Sequence, residues 1–240
     1  MKQILYFSLV ALTFIACQQY VLFEEGVGEC ILELDVSRAE KPVVTSRAIE
    51  AGLAITILDA EGEVYKMYQS GDIPNKIVLE PGIFTVCAHS ENLSTWHTAN
   101  GGKGEACYFA RQQVEMRFDS RTSLVMSVPM INYAVGVELP ELFENLFSSY
   151  RFTLKSGGRE VDIREGDKAY FSLSDGGFSY ALRITNTDGV THAHSPILFT
   201  DVQNGKLYQL RYIYDSNATS GSVDIEITDD MEMDDTIVDL

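Results

Sequence analysis

Few residues in this sequence have the types and the spacing that catalysis or metal binding requires. None of the G-x-S-x-G, H-E-x-x-H, P-loop or C-x-x-C motifs is present. His192 and His194 lie two residues apart and would share one face of a strand. A zinc site needs a third ligand, and no His or Cys lies nearby in the sequence. The sequence therefore predicts a protein that is not an enzyme and that holds no metal and no cofactor.

The polar loop 92–103 is the segment whose residue types indicate ligand binding. It carries Trp96, the single tryptophan of the chain, followed by His97. A tryptophan in a polar loop could stack on a sugar ring, which would make Trp96 and His97 a glycan-binding platform. The alternative, which we favour, is that Trp96 covers the end of a hydrophobic core, because tryptophan is buried on average.

The cysteines allow one intramolecular bridge in the body of the chain. Cys87 and Cys107 lie in neighbouring strand-like segments and could form a disulfide in an oxidising compartment. The interpretation that we favour is that these two and Cys30 are buried thiols, which pack as small apolar side chains.

The first residues have the composition of an export signal. Lys2 precedes an apolar run from Ile4 to Ala16, which is shorter than the ~20 residues that a membrane-spanning helix needs. Cys17 follows directly, and the segment resembles a bacterial lipobox, although Phe14 stands where Leu is usual. We expect acylation of Cys17 and a lipid anchor in the outer membrane, with the protein facing the cell surface. The alternative is an ordinary signal peptide that is cut nearby.

The overall charge excludes one class of partner. Lys and Arg number 18 against 35 Asp and Glu, so the net charge is −17. Nucleic-acid binding is excluded because it needs clustered basic residues that neutralise phosphates. The last twelve residues are acidic and contain no Lys or Arg. They lack the glycine and the spaced ligands of a calcium loop, so we interpret them as a solvated tail.

Apolar residues alternate with polar ones through most of the chain, which is the pattern of half-buried strands. Turn residues such as Pro81-Gly82 and Gly157-Gly158 separate these runs, as in β-sandwiches. The segment Pro140–Ser148 is the one helix candidate, because its apolar residues form a single stripe. The sequence therefore predicts an all-β fold with one short helix.

A weak internal repeat indicates two similar sandwiches. Residues 55–64 resemble residues 182–190, each reading as a strand, a turn and a return strand. Proline and asparagine interrupt the alternation near residues 129–133, where we place the boundary. The predicted organisation is a signal peptide (1–16), a tether (17–27), a first domain (28–131), a second domain (132–228) and the acidic tail (229–240).

Several segments follow one another in a characteristic order, namely the lipobox, Gly28–Leu34, Thr45–Arg47, Ile55–Gly62, Ile77–Ala88 and Ser222–Ile227. Taken together, they resemble the fimbrillin-related lipoproteins of unknown function from Bacteroidetes. Phe84 departs from the family pattern, in which tyrosine is more usual. The resemblance implies two tandem immunoglobulin-like or fimbrillin-like β-sandwich domains and no catalytic residues. It also implies a lipid-anchored surface protein with a structural or adhesive role, associated with fimbriae.

The resemblance and the residues together give three further expectations. Partners would be the outer membrane and other fimbrial subunits, or glycans if the protein is instead the glycan-binding lipoprotein of a polysaccharide-uptake system. A protease would cut after Arg38 or Arg47 in the polar connector 37–50 and release the first strand, which a neighbouring subunit would replace. The alternative is that both arginines are solvated linker residues and the strand is permanent.

Thr236 matches the O-glycosylation signal of exported Bacteroidetes proteins.

Overall fold

The computed structural model describes residues 29–39, 52–141, 143–213 and 222–228. The predictions for the signal peptide and Cys17, for Arg47 and for Thr236 therefore lie outside the described residues. No helix within the described ranges is both long enough and apolar enough to span a membrane.

The described chain is built almost wholly from strands, which confirms the all-β prediction. Their order begins with β1 (Cys30–Arg38), β2 (Leu53–Leu58), β3 (Val64–Tyr68), β4 (Ile77–Leu79), β5 (Gly82–Ser90), β6 (Phe109–Met116), β7 (Arg121–Val128) and β8 (Asn132–Glu138). It continues with β9 (Phe147–Ser156), β10 (Arg159–Ile163), β11 (Lys168–Ser172), β12 (Phe178–Asn186), β13 (Thr191–Phe199), β14 (Leu207–Ile213) and β15 (Ser222–Thr228).

Strands β1 to β7 form two sheets around one hydrophobic core. One sheet has the order β4-β1-β7 and the other has the order β3-β2-β5-β6. Every second side chain of β5, namely Phe84, Val86 and Ala88, enters the core, as the alternation in the sequence predicts. The burial of these apolar faces between the two sheets is what holds this half of the chain together.

Strands β8 to β15 form two further sheets, with orders β11-β8-β14-β15 and β10-β9-β12-β13, around a second core. Strands β8 to β14 thus repeat the arrangement of β1 to β7, and β15 is an additional edge strand. The two cores meet where Ala134 and Leu207 pack against the first. The division into two domains with a boundary at residue 131 stays a prediction.

The topology corrects the internal repeat. The sequence matched residues 55–64 with residues 182–190, which form β2–β3 and β12–β13. The strand orders instead make β9–β10 the counterpart of β2–β3. The reason is that a strand, a turn and a return strand are local features that every hairpin shares. Only the pairing between distant strands determines which hairpin is equivalent to which.

The helical segments are short. The helix predicted over Pro140–Ser148 is found only as α2 (Phe143–Leu146), because the chain enters β9 at Phe147, which pairs with Asn186. The Ser148 hydroxyl donates to the Thr185 and Asn186 carbonyls at 3.2 and 2.9 Å, so strand pairing replaces a further helical turn. The turn α1 (Ala99–Gly102) is interrupted by positive φ angles, and single 3₁₀ turns span Trp96–Thr98 and Leu173–Asp175.

Candidate functional site

The first candidate site is β1 together with the space that it occupies between β4 and β7. Strand β1 pairs in parallel with β7, from Ile31 opposite Arg121 to Arg38 opposite Val128. It pairs with β4 in the antiparallel sense over Cys30–Leu32. Since β1 and β7 are the first and last strands of this half, their pairing closes the sandwich. The parallel ladder between β1 and β7 therefore joins two segments that are far apart in the sequence.

The core-facing side chains of β1 contribute much of the buried apolar surface in this sheet. Leu32, Leu34 and Val36 are 0%, 6% and 0% exposed. At about 1.5–3 kcal/mol for each fully buried aliphatic side chain, these three contribute about 5–9 kcal/mol. A whole domain has a net stability of only about 5–15 kcal/mol. Removal of β1 would therefore leave an apolar groove that this half of the chain could not keep open.

Arg38, one of the two predicted processing sites, does not lie in an exposed connector. It is the last residue of β1, is half-buried and pairs with Val128. Its guanidinium carbon lies 4.6 Å from the centroid of the Tyr108 ring, within the range of a cation–π contact. The alternation of the strand simply continues two residues further than the sequence predicted. Cleavage after Arg38 would therefore require the end of β1 to open first.

The Trp96 loop is a junction between the two halves of the chain. Arg159, at the start of β10, places its guanidinium carbon 5.7 Å from the centroid of the half-buried Trp96 ring. The guanidinium donates hydrogen bonds to three backbone carbonyls, those of His97 at 3.0 Å, Gly102 at 2.5 Å and Tyr170 at 2.8 Å. Burial lowers the pKa of Arg159 below its ordinary value, but an arginine stays charged at neutral pH.

Two more contacts hold the same loop. The Tyr170 N–H donates to the Lys103 carbonyl at 2.7 Å, and the Lys103 ammonium lies 2.7 Å from the Asp167 carboxylate. Burial by itself would raise the pKa of Asp167. The hydrogen bonds from Lys103 and from the Arg164 N–H outweigh that effect, so its pKa lies below the ordinary value.

These contacts do not favour the glycan platform predicted for Trp96 and His97. The favoured expectation that Trp96 covers the end of a core is also wrong, because Trp96 belongs to neither core and its ring is in contact with Arg159. His97 is exposed and meets the edge of the Trp96 ring at 5.9 Å. Within the described residues, the exposed large aromatic side chains are those of Tyr65 and Phe118, which lie on β3 and in the β6–β7 turn, away from this loop.

The disulfide considered between Cys87 and Cys107 is absent, and both are buried free thiols, as is Cys30. Cys87 pairs with Arg111, and Cys107 lies four residues before Arg111 along the chain. At about 3.4 Å per residue, the two cysteines are about 14 Å apart along the strands, well beyond the ~7 Å limit for a bridge. Burial raises the pKa of Cys107 to about 11, so this thiol stays protonated.

Sequence reasoning missed Arg159 as a residue of the Trp96 loop. Arg159 lies 62 residues from His97 in the sequence, and it alternates with strand residues like any surface arginine. No local signal distinguishes it, since its partners are backbone carbonyls that every residue possesses.

Comparisons with known proteins agree with this architecture. A family model described as "Domain of unknown function (DUF4493)" matches residues 28–240. No curated protein matches the chain. Among solved structures, a candidate cell-adhesion protein from Bacteroides eggerthii aligns with a TM-score of 0.50 at 10% identity, covering 83% of this chain and 95% of that one.

Two further solved structures are similar. A candidate cell-adhesion protein from Bacteroides uniformis gives a TM-score of 0.49 at 11% identity, with 84% of this chain and 99% of that one covered. A fimbrial assembly protein from Parabacteroides distasonis gives 0.49 at 12% identity, with coverages of 83% and 98%. At such low identity the first of the three likenesses shows the fold alone, and at that level it confirms the resemblance found in the sequence.

Proposed function

We propose that this chain, which belongs to the family described as "Domain of unknown function (DUF4493)", is a fimbria-associated structural or adhesive protein of the bacterial cell surface and is not an enzyme. The fold that it shares with a candidate cell-adhesion protein supports the proposal. The observation that carries it is β1, the first strand of the described residues, whose apolar side chains belong to the first core and which lies fourteen residues before β2 in the sequence.

We propose that the protein is attached to the outer membrane through acylated Cys17. Two acyl chains suffice for stable anchoring without any spanning helix. Cys17→Ala should move the protein from the membrane fraction to the soluble fraction of lysed cells. Retention of the variant in the membrane fraction would contradict the anchor and would leave the role of β1 untouched.

Assembly would use the groove between β4 and β7. A sheet that loses an inner strand exposes unpaired N–H and C=O groups, and a strand from a second subunit satisfies them while its alternate side chains fill the pockets. In this chain the pockets are those of Leu32, Leu34 and Val36. Arg47 is the better candidate for processing, since Arg38 is paired within β1.

Limited digestion with an arginine-specific protease, followed by native sizing and mass spectrometry, tests this role. We expect cleavage after Arg47, loss of the β1 fragment and a shift to larger species. Arg47→Gln should block that cleavage and stay monomeric, whereas Arg38→Gln should be cleaved like the parent protein.

A peptide spanning residues 29–39 provides the second arm of the test. Added in excess, it should refill the groove and suppress the larger species, whereas the same peptide with Leu32→Asp and Leu34→Asp should not. If the cleaved protein loses β1 and remains a folded monomer, strand exchange is wrong and a plain surface role remains.

A further inference from the structure

An open groove lies in the second half of the chain, at the end opposite to the Arg159 junction along β9 and β10. Its volume is about 500 Å³, and it lies between α2, the first residues of β9 and Arg164, which follows β10. This volume lies in the range of small-molecule sites, about 300–1,000 Å³. The groove shares no residue with β1 or with the Trp96 loop.

Three aromatic residues line the groove, two of them half-buried and held in position by the buried third, Phe143. Phe147 and Tyr150 are half-buried, and both pack against the buried ring of Phe143, with centroid distances of 4.6 and 5.3 Å. The Tyr150 hydroxyl accepts a hydrogen bond from the Glu165 N–H at 3.3 Å. The rings are therefore held in place before any ligand arrives, which reduces the entropy lost on binding.

The polar groups around the rings are available for a ligand. Glu144 and Arg164 are both exposed, and both line the groove. In the sequence, Glu144 precedes the aromatic pair and Arg164 follows it. Within the described part of the chain, neither the Glu144 carboxylate nor the Arg164 guanidinium makes a side-chain hydrogen bond or a close ion pair, and the charge of Arg164 acts on the carboxylate of Asp167 only as a more distant electrostatic neighbour. Ser149 adds an exposed hydroxyl to the lining. The groove thus combines a hydrogen-bond acceptor, a forked donor and two aromatic rings.

We propose that this groove binds a neutral pyranose unit of a glycan. The electron-rich faces of the aromatic rings attract the C–H face of a sugar ring. Carboxylate and guanidinium groups make charge-assisted hydrogen bonds with sugar hydroxyls. The charges of Glu144 and Arg164 in the lining cancel, so the groove offers no net positive charge to an acidic sugar, and the net charge of −17 on the whole chain repels one.

Binding of neutral methyl glycosides of glucose, galactose and mannose to the full chain, followed by saturation-transfer NMR and titration, tests the site. We expect at least one of them to bind and glucuronate to bind more weakly. Arg164→Gln and Glu144→Gln should each weaken binding about tenfold, because each removes a hydrogen bond to a charged group. Both side chains are exposed, so neither change should affect folding.

Arg183→Gln is the matched control. Arg183 is exposed on β12 and does not line the groove, so this variant should bind like the parent protein. The proposal is overturned if no neutral glycoside binds, if glucuronate binds as well as glucose, or if Arg164→Gln and Arg183→Gln bind alike. None of these results depends on strand exchange, because the measurements use the uncleaved protein.

Discussion

Replacement of Arg159 by alanine should loosen the junction between the Trp96 loop and the second half of the chain. The change removes three hydrogen bonds to the carbonyls of His97, Gly102 and Tyr170 and the cation–π contact with Trp96. A hydrogen bond to a charged group contributes about 1.5–3 kcal/mol. Arg159 is half-buried and water can reach part of the loop, so we expect a total loss of about 2–4 kcal/mol rather than the full sum.

Trp96 makes this loss directly measurable, because it is the single tryptophan and lies at the junction itself. In urea, with m near 2–3 kcal/mol/M, the fluorescence midpoint of Arg159→Ala should fall by about 1 M. Its emission maximum in buffer should shift to the red. The fluorescence transition should also precede the loss of the far-UV circular dichroism signal, because the junction opens before the sandwiches unfold.

Arg151→Ala is the matched control for Arg159→Ala. Arg151 lies on the neighbouring strand β9 and pairs with Asp162 at 2.6 Å, with both side chains largely exposed. Exposed pairs of this kind contribute about 0–1 kcal/mol, so its transition should stay near that of the parent protein. Equal midpoints and equal emission maxima for the Arg159→Ala variant and the parent protein would refute the claim that Arg159 holds the Trp96 loop against the second half of the chain.

Three other outcomes are expected. Leu34→Ala should lower the free energy of unfolding by about 2–5 kcal/mol in denaturant titrations, because it leaves a cavity in the core next to β7; a loss below 1 kcal/mol would contradict the role of β1 in the core. Cys87→Ser should leave the electrophoretic mobility of the unfolded protein the same with and without reductant, and a reductant-dependent band in the parent protein would contradict the free thiols. The pKa of Asp167 is lowered in the folded state, so its stabilising contribution is present above the pKa of the unfolded chain and is lost as the pH falls through the folded value. Asp167→Asn should therefore flatten the acid side of the stability curve, and an unchanged curve would contradict the ion pair with Lys103.

The sequence predicted the all-β fold because strand alternation is a local signal. Residues such as Phe84, Val86 and Ala88 reveal their core face by spacing alone, whatever strand they later pair with. The helix near Phe143 was found for the same reason, but its end was misplaced. The end is set by the pairing of Phe147 with Asn186, which lies 39 residues further along the chain.

Tertiary structure decided what the sequence left open at the candidate sites. The expectation that Trp96 covers the end of a core is not met, because its ring lies outside both cores and contacts Arg159. Arg159 bonds to backbone carbonyls of the loop, and no sequence pattern indicates such a contact. The separation of Cys87 and Cys107 depended on the register of β5 and β6. The sequence directly shows the residue types and their alternation, and these determine which surfaces must be buried. Register and long-range contacts arise only when those surfaces pack against one another, so they required the folded structure.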